Sequence, residues 1–246
     1  MQPIRLTSIE GRKRAIIDRV YPEIDAGAFP IKRVVGDPVT VEADIVADGH
    51  ELLQGMLLYR RIGKRSWSEV PMEPLGNDRY AATFSVEEIG GYEYTVSAWV
   101  DHFETWRSGL EKKHAAAVDA GIDLRIGAAR VQEAVERAKG KKAKRLRELA
   151  ESMVDEKAEL NDRVEVALSK ELDTLMKEHP DRRFAFDYPR ILRVWVDRER
   201  AAFSSWYEMF PRSASDTPGL HGTFRDAEGR LPYIAEMGFD VVYLPP

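Results

Sequence analysis

No cysteine occurs in the chain. That excludes a disulfide framework and thiolate metal sites, and it fits a reducing compartment. No window approaches the roughly 18 uninterrupted apolar residues of a membrane-spanning helix. The opening MQPIRLTSIEGRKRAIIDRV lacks the apolar core of a signal peptide. An excess of positive charge is missing too. Lys and Arg total 37 against 42 Asp and Glu, a net charge of -5, which argues against nonspecific nucleic-acid binding. Histidines are few and dispersed: His50, His102, His114, His179 and His221 include no two at ligand spacing, so no metal site is expected. No glycine-rich phosphate loop opens a helix, since Gly90-Gly91 lies between strands. These absences fit a cytoplasmic chain, with no nucleic-acid or membrane partner and no metal site expected.

What is present falls into segments of different period. The 246 residues suffice for two or three small domains. Met1 to Gly27 carries the basic cluster Arg12-Lys13-Arg14, read as a solvated face, and Tyr21-Pro22 and Phe29-Pro30 read as loop. From Ile31 to about Arg107 apolar residues alternate. Val39, Val41, Ala43 and Ile45 form one face of a strand, and Tyr92, Tyr94, Val96, Ala98 and Val100 one face of another. Turns fall at Asp48-Gly49-His50, Gly63–Ser66 and Gly76-Asn77-Asp78. The spacing predicts an antiparallel β-sandwich of immunoglobulin-like type. Trp99 lies on the polar face of its strand and Trp106 follows it. An indole can stack on the apolar face of a sugar, but contact with neighbouring elements is the favoured reading.

Between Leu110 and His179 the period becomes three to four. Leu124, Ala128, Val131 and Val135 begin the pattern; Leu146, Leu149 and Met153, then Leu160, Val164, Leu168 and Leu172, continue it. Three helices are expected, with Gly140 separating the first two. Asp155 to Asn161 holds either a further break or continuous helix. Glu133 and Arg137 are placed for a pair at four apart, and the charge run Lys139 to Arg147 reads as a solvated helix face. Phe184 to Arg198 returns to strand chemistry, with Leu192, Val194 and Val196 alternating. A lone strand needs backbone partners, so this one is expected to rejoin the sandwich.

The last stretch reads as strand, loop, helix and strand: Trp206–Phe210, the turn at Pro218-Gly219, a helix capped by Thr223 with Leu231, Ile234 and Met237 on one face and ended by Gly238, then Phe239–Leu244. Such a unit is a parallel crossover, and two strands do not complete a parallel sheet. The string FPRS…HGTFRDAEGRLPYIAEMGFDVVYLPP resembles the opening of the catalytic barrel in glycoside hydrolase family 13, the α-amylase-type enzymes. Within that group it is most similar to the α-1,4-glucan:maltose-1-phosphate maltosyltransferases, as is FPIKRVVGDPVTVEADIVADGHE at Phe29–Glu51.

The resemblance and the periods together give a leader at residues 1–28, a sandwich at 29–109 and 184–200, and an inserted helical domain at 110–183. The first β-α-β of a truncated (β/α)8 barrel would occupy 201–246. The resemblance implies an enzyme that moves maltosyl units from α-maltose 1-phosphate to the non-reducing end of an α-1,4-glucan with retention, needing no metal or cofactor. It also implies a homodimer through the helical insertion and the sandwich. Retaining chemistry uses two carboxyl groups about 5 Å apart, at the C-terminal ends of barrel strands. The family places its acids after later strands than the two present, so no catalytic, cofactor-binding or metal-binding residue is assigned. Glu208 lies within a strand, Asp240 stands at the wrong end of one, and Arg225 and Asp226 open the helix. His221-Gly222-Thr223 is read as loop structure. The piece itself is expected to be inactive. Another α-amylase-family glycosidase or branching enzyme, or a non-catalytic glucan-binding or dimerisation module, is the alternative.

Overall fold

The structure, a computed structural model, describes residues 11–245. The part of the expected leader that covers residues 1–10 lies outside them, as does Pro246. The strands are β1 (Ile16–Tyr21), β2 (Ile31–Val34), β3 (Pro38–Val46), β4 (Leu53–Arg61), β5 (Ser68–Gly76), β6 (Arg79–Ser85) and β7 (Gly90–Val100). Five helices follow: α1 (His102–Ala115), α2 (Gly121–Arg137), α3 (Gly140–Val154), α4 (Leu160–Leu168) and α5 (Lys170–Glu178). The chain then returns through β8 (Phe186–Asp187) and β9 (Leu192–Asp197), and closes with β10 (Trp206–Glu208), α6 (Phe224–Gly229), α7 (Leu231–Glu236) and β11 (Val241–Tyr243).

The sheet runs β1-β3-β6-β5-β4-β7-β9-β2, with β8 also on β7. Strand β5 changes partner along its length. Ser68–Met72 pairs with β4, and Glu73–Gly76 pairs with β6. The sheet therefore curls, and the inward residues of β3 (Val39, Val41, Ala43, Ile45) and of β7 (Tyr94, Val96) enter one core. Each fully buried Val, Leu or Ile contributes roughly 1.5–3 kcal/mol. Asn77 and Asp78 both adopt positive φ at the β5–β6 turn, the backbone a tight hairpin needs and one that Asn and Asp tolerate.

Four expectations for the sheet and the helical segment need correction. The sheet is mixed and not antiparallel throughout, because β2 runs parallel to β9. Those strands are far apart in the chain, so no short hairpin dictates their direction. The sheet also begins in the stretch expected to be a leader. Ile16–Tyr21 pairs with β3 and sends Ile17 and Val20 into the core, with a register shift between Ile17 and Arg19. Helix starts at His102 and not Leu110: Asp101 caps it by accepting from Glu104 N at 2.9 Å, and Phe103, Trp106 and Leu110 are buried along one side. Finally, the helical segment holds five helices where three were expected, with the open question at Asp155 resolved as a break.

The expected return of 184–198 to the sheet is seen: β9 pairs with β7 from Gly90↔Val196 to Tyr94↔Leu192. The helices have their own core, built from residues such as Leu124, Val131, Leu146, Met153, Val164 and Leu172. At the C-terminus, β10 and β11 pair in parallel from Trp206↔Val241 to Glu208↔Tyr243. Thr223 forms a capping box with Asp226. The expected single helix is two short ones meeting at Arg230, since Pro232 in the first turn of α7 has no N–H to extend the earlier helix. Ala227 and Ile234 are buried, whereas Phe203, Trp206 and Phe224 are exposed at 83%, 60% and 74%.

Candidate functional site

Two places gather polar side chains. The first is the parallel β10–β11 unit. Asp240 precedes β11, and its Oδ2 accepts from Ser205 N at 3.0 Å and Ser205 Oγ at 3.1 Å, with Arg200 Nε 3.5 Å from Oδ1. The hydrogen bond from the Ser205 backbone is the main reason its carboxyl is held below the usual range. Asp240 thus ties the start of β11 to the residue before β10. Asp226 accepts from Thr223 N and Thr223 Oγ1, both at 2.7 Å, and is likewise lowered, first by the backbone bond. Both acids serve local structure. Glu208 is exposed on β10, and His221 is exposed in the loop before α6. Next to it, Gly222 N donates to Arg212 O at 2.8 Å, and a Cβ at Gly222 would meet the backbone of Pro211, Ala214 and Ser215. That close approach explains the glycine.

The second place is a cleft of about 200 Å³ where the end of β7 and the start of α1 meet α2 and the chain after α5. The segment 180–188 crosses from the helices back to the sheet. Arg182 donates to both oxygens of Glu69, at 2.9 and 2.8 Å, and its guanidinium lies 4.8 Å from the centre of the Trp99 ring. That bidentate bond lowers the Glu69 carboxyl. Arg183 Nη2 donates to Asp181 Oδ2 at 2.6 Å and to Glu133 Oε2 at 3.2 Å. Its hydrogen bonds are the largest cause of the lowered Asp181 carboxyl. Glu133 thus pairs with Arg183 and not with Arg137, as its spacing in the helix had suggested. Arg137 instead donates to the carbonyls of His179 and Glu133, each at 3.1 Å.

The tryptophans fall within the packing. Trp99 is 3% exposed, covered by Arg182, so no ring face is open for a sugar. Trp106 is buried against Phe103 and donates from Nε1 to Asp123 O at 2.8 Å. The charge run beginning at Lys139 is solvated as expected and laced by pairs such as Lys142–Glu178 and Arg145–Glu171. Sequence reasoning missed the cleft's arginines. The signal available was Arg130 and Arg137, two helical turns apart on one face, together with the Asp181-Arg182-Arg183 run directly after a helix. Among the described residues no cluster of His, Asp and Glu could hold a metal, and no helix is long and apolar enough to cross a membrane.

These features define a β-rich chain that carries a packed helical segment between its seventh and eighth strands and ends in a parallel strand–helix–strand unit. Residues 13–198 match the family described as alpha-1,4-glucan:maltose-1-phosphate maltosyltransferase, domain N/S. The chain belongs to that family. It is 51% identical over 245 residues to the alpha-1,4-glucan:maltose-1-phosphate maltosyltransferase of Chlorobaculum tepidum, covering 99% of this chain and 36% of the relative. The protein of the same name from Methylacidiphilum infernorum is 41% identical, covering 97% and 35%. That from Myxococcus xanthus is 46% identical, covering 94% and 36%. The chain therefore spans about a third of the length of these curated relatives.

Proposed function

We propose that this chain is the N-terminal part of a cytoplasmic maltosyltransferase. The longer protein would transfer maltosyl units from α-maltose 1-phosphate to the non-reducing end of an α-1,4-glucan, with retention and release of phosphate. The single observation that carries the reading is the 51% identity along nearly the whole chain to a relative bearing that name. On this reading the curled sheet is an immunoglobulin-like sandwich into which the helices are inserted. The unit from residue 201 onward is the first β-α-β of a family 13 (β/α)8 barrel. The exposed apolar residues Phe203, Trp206 and Phe224 support it, because a parallel sheet is normally covered on both faces.

The reacting acids belong to later barrel strands, so the 246 residues alone serve packing and assembly and catalyse nothing. The helical segment and sandwich make a homodimer. Ile122 and Ile126, four apart on α2 and exposed at 69% and 45%, supply an apolar stripe for such a contact. Phosphate release from α-maltose 1-phosphate in the presence of glycogen tests the reading. The longer protein is expected to release it, and a longer protein that hydrolyses or branches glucan without using the phosphate donor would overturn the assignment.

A further inference from the structure

Arg130 lines the cleft between sheet and helices and has no hydrogen-bond or ion-pair partner among the described residues. Its Nε is shut off from solvent and unbonded. Buried polar groups are nearly always satisfied, so an orphan of this kind calls for a physical cause. Arg137 lines the same cleft one heptad on and donates its hydrogen bonds only to backbone carbonyls, while its charge helps to lower the Asp181 carboxyl. The acids around them are already engaged. Asp101 caps α1, and Asp181 and Glu133 share Arg183.

An unpartnered guanidinium with a second one whose side chain forms no hydrogen bond to a carboxylate, on one wall of a concave site, suits an anion with several oxygens, because a planar fork of N–H groups matches phosphate geometry. The cleft is below the 300–1,000 Å³ or so of drug-sized sites, which limits the ligand to a small one. We propose that this cleft binds a small phosphate-type anion, with Arg130 as its main ligand and Arg137 as the second cation. The site is separate from the transferase reading and stands or falls without it.

The test is a titration of the 246-residue chain with inorganic phosphate and with glucose 1-phosphate, against chloride at matched ionic strength. Backbone amide NMR shifts and thermal unfolding are followed. Saturable binding of at least one anion is expected, with shifts centred on residues 99–103, 130–137 and 180–184. Binding of both identifies the phosphoryl group as the recognised part. Binding of one alone assigns the source, free phosphate or its sugar ester. Arg130→Gln has no partner to lose, so unfolding in chloride should be unchanged while affinity falls at least ten-fold. Arg130→Lys, which keeps the charge and loses the fork, should fall between. Saturation by neither anion, or equal affinity in wild type and both variants, overturns the proposal.

Discussion

Gly127 lies beneath the indole of Trp106, and a Cβ there would collide with the ring. Gly127→Ala therefore forces the ring or α2 to move, and a loss of about 1–3 kcal/mol is expected from overpacking, measured by chemical unfolding. Trp99 poses the opposite test. Because its ring is covered by Arg182 and packed at the sheet–helix boundary, Trp99→Ala should lose about 3–5 kcal/mol of stability. Retention of the chain on glycogen should not change, and a drop in retention at unaltered stability would contradict the packing role. Trp99 also marks a limit of reading residues by alternation. Its place on the outer face of β7 is legible in the sequence. Its burial depends on Arg182, some eighty residues away, and no local pattern encodes that contact.

The elements that could be read were those whose period is regular. β3 alternates strictly and β7 does so as far as Val96, so their inward residues were identifiable from sequence. β1 was missed because a bulge between Ile17 and Arg19 places its buried residues three apart. The first two turns of α1 were missed although Phe103, Trp106 and Leu110 are spaced for a helix. They follow directly on a long strand, and the Asp101 cap was the signal that separates the two. Caps also give a local prediction. Thr223→Ala removes the capping box of α6 and should cost about 1 kcal/mol, read as faster amide exchange over Phe224–Gly229. The strap from α5 to the sheet gives another. The folded-state carboxyls of Glu69 and Asp181 titrate below their ordinary values. Their contribution is present above the unfolded carboxylate range, near pH 4, and is lost as pH falls through the lowered folded values. Unfolding temperature should therefore decline below about pH 4, and Arg182→Gln should make that decline shallower.

At the scale of the whole molecule, the parallel pairing of β10 with β11 was legible because Pro, Gly and the Thr223 cap punctuate it. The parallel β2–β9 pair was not, since alternation carries no strand direction. The proposed homodimer is tested at the exposed stripe on α2. Sedimentation should find a dimer, and the double substitution Ile122→Glu with Ile126→Glu should shift it to monomer and make the unfolding temperature independent of protein concentration. The most direct test of the central claim is a comparison of phosphate release from α-maltose 1-phosphate, with glycogen as acceptor, by these 246 residues and by the longer protein. Release by the longer protein alone is the predicted result; release by the 246 residues, or by neither, would contradict it.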